Sequence, residues 1–338
     1  MKALFIGGTG TISTSVVALA LAKGWDVTLL NRGQSGRDIP EGARVLQADA
    51  RDAAAVNAVL GDETFDVVAQ FVAFVPEQVE NDIALYQNRT KQYIFISSAS
   101  AYQKPARDYV ITESTPLVNP YWQYSRDKAA CEDLLMQAHI KQGFPVTIVR
   151  PSHTYCDTNA PVGANCASGS WPTFKRMLEG KPVIIHGDGT SLWTMTNARD
   201  FAKGFVGLMG NAHAIGNAVH ITTDEGMTWN QIYQLYADAL GVPLNAVHIA
   251  SDFLAAHDDG MDFTGALIGD KGCTVVFDNS KIKRLVPGFA CTISMSEGLT
   301  NAMQYMVTHP DQQTEDPTFD AWCDKMIAAQ QAAHDFLK

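Results

Sequence analysis

Apolar runs of strand length alternate with helical stretches along the first half of the chain. The runs are "KALFIG", "DVTLL", "ARVLQ", "FDVVAQF", "QYIFIS" and "PVTIVR", and "NAVHIT" follows later. This alternation implies parallel strands joined by helical crossovers. The segments between them carry helix boundaries: "STSVVALALAKG" closes on Gly24, "DAAAVNAVLG" closes on Gly61, and "PEQVENDIALYQN" opens with Pro76, a residue that a first helical turn tolerates. The pattern predicts an α/β fold built on a doubly wound parallel sheet.

After Pro151 the rhythm breaks into the loop "DTNAPVGANCASGSWP", followed by a short helix in "TFKRMLEG" and a strand-like "KPVIIHGDG". "NARDFAKGFVGLMG" and "NAVHITT" return to the earlier rhythm, and helices follow from Trp229 onward. The reading is a larger unit of residues 1–155 plus about 197–222, interleaved with a smaller C-terminal α/β unit of about 156–196 and 223–338. No internal repeat or low-complexity tract interrupts it.

Composition narrows the function. Charged residues are 18% and hydrophobic ones 46% of the 338, which suits a compact enzyme-sized globule. A net charge of −11 argues against nucleic acid and anionic membranes as partners, because both need a positive field. The expected partner is a small molecule. The chain enters an apolar strand directly after Met1, and no apolar run approaches the ~18 residues of a membrane span, so the reading is cytoplasmic. The six cysteines lie far apart with no C-x-x-C pair, so reduced thiols are expected, with neither a disulfide framework nor a metal site.

The stretch "KALFIGGTGTISTSV" places Gly7, Gly10 and Ser13 between a strand and a helix. Glycine allows a tight turn and close backbone approach to a pyrophosphate, and the helix N-terminus offers free N–H groups. Gly7, Gly10, Thr11 and Ile12 are therefore the expected cradle of a dinucleotide, in the setting of a Rossmann fold. The second strand ends in Asn31-Arg32-Gly33, without the acidic residue that binds the 2′-hydroxyl of NAD. A guanidinium suits a 2′-phosphate, so NADP(H) is favoured; if Arg32 is only a solvated loop cation, NAD(H) is the alternative. "ADARD" sets Asp49 and Ala50 after the third strand, where the carboxylate can accept from the adenine amine.

"YSRDK" puts Tyr124 and Lys128 on one face of a predicted helix, 26 positions after Ser98 of "ISSAS" in the case of the tyrosine. A tyrosine of reference pKa ~10 must lose about three units, roughly 4 kcal/mol, to exchange protons at neutral pH, and a nearby ammonium can supply part of this.

These motifs, with "ISSASAY", the "RPSHTY" loop and the distant "GDGTSLWTMTNARD", resemble the extended short-chain dehydrogenase/reductase superfamily, in its NAD-dependent epimerase/dehydratase-like branch. The resemblance covers nearly the whole chain. It implies that Ser98, Tyr124 and Lys128 are catalytic, with Tyr124 exchanging the proton and Ser98 bonding the reacting oxygen. Lys128 would also hold the cofactor. It further implies that Pro151 and Ser152 line the nicotinamide, that Ser100 and His153 face the substrate, and that the protein is a homodimer through the helices near 76–88 and around Tyr124. Phe71 is expected at the cofactor and Phe74 at the substrate, although both are also read as ordinary core. The alternative for His153 is a loop histidine satisfied by backbone.

One departure concerns the substrate. The family's diphosphate-binding arginine, seven positions before the aspartate of "NARD", is replaced by Trp193, whose indole can stack on a ring but cannot hold a diphosphate. Arg176 is the candidate substitute. Cys156 and Gln103 also stand where related sequences often carry glycine. The leading expectation is a nicotinamide-dependent oxidoreductase or epimerase acting on a secondary alcohol or ketone of a carbohydrate-like or other ring-bearing molecule. An NADPH-dependent carbonyl reductase, a sugar-nucleotide epimerase or dehydratase, and a non-catalytic cofactor-sensing or RNA-associated member remain as alternatives.

Overall fold

The computed structural model describes residues 1–33 and 39–338. Seven strands form the central sheet: β1 (Lys2–Ile6), β2 (Asp26–Asn31), β3 (Arg44–Gln47), β4 (Val67–Gln70), β5 (Tyr93–Ile96), β7 (Val146–Pro151) and β12 (Asn217–Ile221). Short strands pair outside it: β6 (Val110–Ile111) with β15 (Val276–Phe277), β8 (His153–Tyr155) with β11 (Met195–Asn197), β9 (Val183–His186) with β14 (Ala246–Ile249), and β10 (Leu192–Trp193) with β13 (Met227–Thr228). The helices are α1 (Ser13–Ala22), α2 (Ala53–Leu60), α3 (Pro76–Tyr86), α4 (Gln123–Gln142), α5 (Trp171–Leu178), α6 (Ala198–Leu208), α7 (Trp229–Leu240), α8 (Ser251–Ala256), α9 (Ser280–Leu285), α10 (Met295–Thr308) and α11 (Pro317–Phe336).

The sheet order is β12-β7-β5-β4-β1-β2-β3, parallel throughout. Each of the seven apolar runs became one of its strands. The period of two along β1 sends Ala3 and Phe5 to one face and Leu4 and Ile6 to the other. On the first face Val16 and Val17 of α1 meet Phe201 and Phe205 of α6. On the second, Val56, Val79, Tyr86, Cys131 and Leu135 from α2, α3 and α4 cover the sheet. The chain winds outward from β1 to β3, then crosses back to β4 on the other side of β1. That reversal opens a crevice at the carboxyl ends of β1 and β4, where open parallel sheets bind ligands.

Local chemistry stops the helices where the sheet requires it. Asp52 caps α2 by accepting from the Ala55 N–H at 3.0 Å, and α4 ends at Gly143 in the left-handed conformation (φ 69°). A buried ion pair fixes α4 to β7: Glu132 accepts from Arg150 at 2.6, 2.9 and 3.1 Å and from the Ser97 hydroxyl at 2.5 Å.

A second apolar cluster packs Trp171 and Phe174 of α5 with Trp229, Tyr233 and Tyr236 of α7 and Leu299 and Met303 of α10. Residues 280–291 behave differently from the partition expected of them: Ile282 and Phe289 pack into the α1–α6 side of the sheet. No helix among the described residues is long and apolar enough to cross a membrane. All six cysteines are free.

Candidate active site

The glycine turn after β1 is held by its own side chains. Ser13 Oγ donates to the Gly7 carbonyl at 2.7 Å and accepts from the Gly10 N–H at 2.8 Å. Gly7 has φ 84°, and a Cβ there would lie 2.3 Å from Val72 Cγ1. Both the backbone conformation and the closeness to β4's exit require glycine. Asn31 Oδ1 accepts from the Gly8 N–H at 3.2 Å, so this carboxamide braces the turn.

Above the turn lies a cleft of about 510 Å³ lined by Gly7, Thr9, Gly10, Asn31, Arg32, Asp49, Ala50, Arg51, Val72 and Phe74, among others. Asp49 is clasped by Arg51 through bonds of 3.0 and 2.6 Å, and this guanidinium holds its carboxyl well below the usual carboxylate range. Arg32 is exposed at the same end and no hydrogen bond or ion pair of its guanidinium is recorded among the described residues. Thr11 and Ile12 belong to the turn but do not line the cleft, and Ile12 packs against the core beside α1. Phe71 differs from expectation more clearly. Its ring sits between Phe5 and Phe205, with centroids 6.2 and 5.3 Å away, so the core claims it and Val72 takes its place on the cleft wall.

A second cavity of about 300 Å³ adjoins the carboxyl ends of β5 and β7. Ser98, Ser100, Trp122, Tyr124, Pro151, Ser152, His153 and Trp193 line it, together with Asp270, Val275 and Phe277. Phe74 lies instead on the cleft wall, 45% exposed, with its ring 6.5 Å from that of Tyr124. It thus lines the larger cleft beside Tyr124 and not the smaller cavity.

The three expected catalytic side chains converge. Ser98 Oγ shares the cavity with Tyr124 and lies 2.8 Å from Ser100 Oγ, which in turn accepts from Ser125 at 2.9 Å. Lys128 is buried, one turn along α4 from Tyr124. Its Nζ donates to the carbonyls of Ala73 and Ile96, each at 2.7 Å, and lies 4.7 Å from the Phe74 and Phe95 centroids. Burial pulls this ammonium down to about 8. Burial also pushes the Tyr124 phenol up; the Ser98 hydrogen bond opposes this and the Asp270 charge adds to it. The depression expected from Lys128 is absent, and desolvation dominates.

His153 lies against the cavity wall, where burial, reinforced by the Lys271 charge, pushes it down to about 3 and keeps it neutral. Trp193 is 2% exposed, its ring 5.7 Å from Trp229 and 6.2 Å from His153. Its faces are covered, so it reaches the cavity without presenting the open stacking surface anticipated from sequence. Arg176 is fully engaged with α11 and the loop after α5: its guanidinium donates to Asp320, to Asp324 at 2.6 Å and to the Pro182 carbonyl at 2.9 Å. It is not a replacement for the missing phosphate ligand.

Sequence reasoning missed Asp270 and Lys104. Asp270 is at the cavity wall, and Lys104, its side chain fully buried, approaches it at 3.6 Å. Nothing in the local pattern of "GDKGC" marks this carboxylate, because its partners lie more than a hundred residues away. Among the described residues no group of three His, Cys, Asp or Glu side chains is placed to hold a metal ion.

The sequence profile of the NAD dependent epimerase/dehydratase family matches residues 3–221. The chain is 24% identical over 289 residues to a 2′-dehydrokanamycin reductase of Streptomyces kanamyceticus, covering 86% of this chain and 80% of that protein. It is 32% identical over 227 residues to a UDP-glucose 4-epimerase of Lactobacillus helveticus, covering 60% and 68%. The solved structure of an epimerase from Methanothermobacter thermautotrophicus superposes with a TM-score of 0.74 over 92% of this chain and 93% of that one, at 15% identity. The last is a likeness of fold.

Proposed function

The chain belongs to the NAD dependent epimerase/dehydratase family, of the extended short-chain dehydrogenase/reductase type, and within it we propose an NADP(H)-dependent oxidoreductase that interconverts a ketone and a secondary alcohol on an unphosphorylated, ring-bearing, carbohydrate-like molecule. The observation that carries this reading is the meeting of Ser98 and Tyr124 at a 300 Å³ cavity whose lining, among the described residues, includes a carboxylate and no arginine or lysine. A diphosphate would find no guanidinium fork there. The kanamycin-type reductase, matched along most of both chains, supports a substrate of this kind.

The residues present fit a dinucleotide. Gly7 leaves no room for a side chain against Val72, and the cleft runs from the glycine turn to Arg32 and Asp49. Gly7 and Gly10 would face the pyrophosphate, Arg32 the 2′-phosphate, Asp49 and Ala50 the adenine end, and Lys128, Pro151 and Ser152 the nicotinamide end. When bound, the nicotinamide supplies or accepts the hydride. Tyr124 Oη gives the proton to the carbonyl oxygen in reduction and takes it back in oxidation. Ser98 Oγ donates to the same oxygen as charge develops on it. A phenol of ordinary pKa ~10, raised further here by burial, is protonated at neutral pH, which is the form that reduction needs.

Redox-neutral epimerisation would use the same side chains, and the 32%-identical UDP-glucose 4-epimerase favours it as the second reading. Incubating the purified protein with NADPH and a panel of sugar ketones separates the two. Net loss of reduced nicotinamide with each turnover is expected. Isomerisation without net loss would transfer the protein to the second reading. Tyr124→Phe should lower kcat by about 10² to 10⁴ while NADPH affinity stays within a few-fold; unchanged turnover would remove Tyr124 from the mechanism.

A further inference from the structure

Asp270 is the penultimate residue of the helical segment Thr264–Lys271, and two close contacts fix where that segment lies. A Cβ on Gly265 would fall 2.2 Å from Trp122 Cδ1, and one on Gly269 would fall 3.1 Å from Tyr121 Cβ. Only glycine at 265 lets the backbone approach the Trp122 ring this closely. Asn119 then bridges the two sides of the cavity: its Nδ2 donates at 2.8 Å to the carbonyl of Ser100 and at 2.8 Å to that of Gly269. Asp270 is thereby registered against the serine pair and Tyr124, although 146 residues separate it from Tyr124 (270 − 124).

The carboxylate placed this way is short of partners. An ionised carboxylate accepts about four hydrogen bonds, and buried polar groups are normally satisfied. Asp270, its side chain 18% exposed, has one partner recorded among the described residues, the Lys104 Nζ at 3.6 Å, beyond good hydrogen-bond length. Lys104 balances its charge without filling its acceptor sites. Lys271, the next residue, turns away and donates to Val162, Gly163 and Asn165.

We propose that Asp270 is the specificity-determining residue of this cavity, accepting hydrogen bonds from hydroxyl or ammonium groups on the substrate ring and excluding phosphorylated sugars. The proposal rests on the 300 Å³ cavity being the substrate site. Hydroxyl and ammonium share the required chemistry, a donor on a saturated ring. A phosphate meets the opposite: acceptor facing acceptor, with His153 neutral and no cation among the described residues of the lining.

The test is calorimetric binding to the NADP⁺-loaded protein, with kanamycin, its N-acetylated form, methyl glucoside and UDP-glucose as probes. Asp270→Asn, and Asp270→Asn with Lys104→Met so that no buried lysine is stranded, should weaken the ring probes about ten- to a hundredfold, with NADP⁺ affinity within a few-fold of wild type. Loss of affinity on N-acetylation identifies the ammonium as the donor, and retention identifies hydroxyls. Unchanged ring-probe affinity in both variants overturns the proposal. So does UDP-glucose binding tenfold tighter than every ring probe, or failure of every ring probe to bind wild type. In that last case NADPH turnover with other ketones would leave the oxidoreductase reading standing.

Discussion

At Lys128 a single ammonium serves the fold before any ligand arrives, since its two bonds to Ala73 and Ile96 tie α4 to the exits of β4 and β5. Arg32 is the opposite case. It projects from the end of β2 with its charge acting on Asp49 only weakly, while Arg51 nearby is paired directly with Asp49. A cation so placed can act on a 2′-phosphate without first breaking another bond. Arg32→Ala should therefore erode the proposed preference for NADPH over NADH by roughly 1.5–3 kcal/mol, about ten- to a hundredfold. Competitive titration of both dinucleotides measures it, and equal NADH and NADPH affinity in the wild type would assign Arg32 to solvent.

At the scale of elements, α3 is held to the sheet by a buried polar contact. Asp82 Oδ2 accepts from Tyr93 Oη and Gln70 Nε2, both at 2.7 Å. Burial pushes its carboxyl up to about 6, with the two hydrogen bonds pulling the other way. A folded pKa above the unfolded ~3.9 means that the folded state binds the extra proton between about 4 and 6. The group's stabilising contribution is present below the unfolded value and is lost as pH rises through about 6. Asp82→Asn keeps an acceptor for both donors and removes the buried charge. Its melting temperature should exceed the wild type's at pH 8 by the equivalent of about 1–3 kcal/mol, and the difference should shrink towards pH 4. A variant less stable than wild type at pH 8 would mean that the ionised carboxylate is the better acceptor.

For the whole molecule, the proposed homodimer brings α3 and α4 against their copies. These helices already pack on each other over the same face of the sheet, and their outward positions mix polar residues with Ala84 and Ile140, the latter 71% exposed. Sedimentation at micromolar concentration should find a dimer. Ala84→Arg, which sets a cation on the outer face of α3, should convert it to monomer without a change in NADPH affinity. A monomeric wild type would end this assignment.

The seven strands, the glycine turn and the Ser98, Tyr124 and Lys128 grouping were legible in the chain because each depends on local order. Period two and period 3.6 decide which residues share a face, and four residues on a helix bring two side chains together. The outcomes that differed depend on depth and on distant partners. Phe71 and Val72 are adjacent, and only the packing of Phe5 and Phe205 decides which one reaches the cleft. Trp193 lost its open face to Trp229, and Arg176 was taken by α11. Tyr124 is pushed upward by desolvation, a property of the assembled core, with the Asp270 charge adding to it. The order of residues determined the sheet and the grouping of Ser98, Tyr124 and Lys128; the meeting of Asp270, Lys104 and Tyr124 was decided by tertiary structure, because long-range packing sets which charges face a cavity and what remains to bind them.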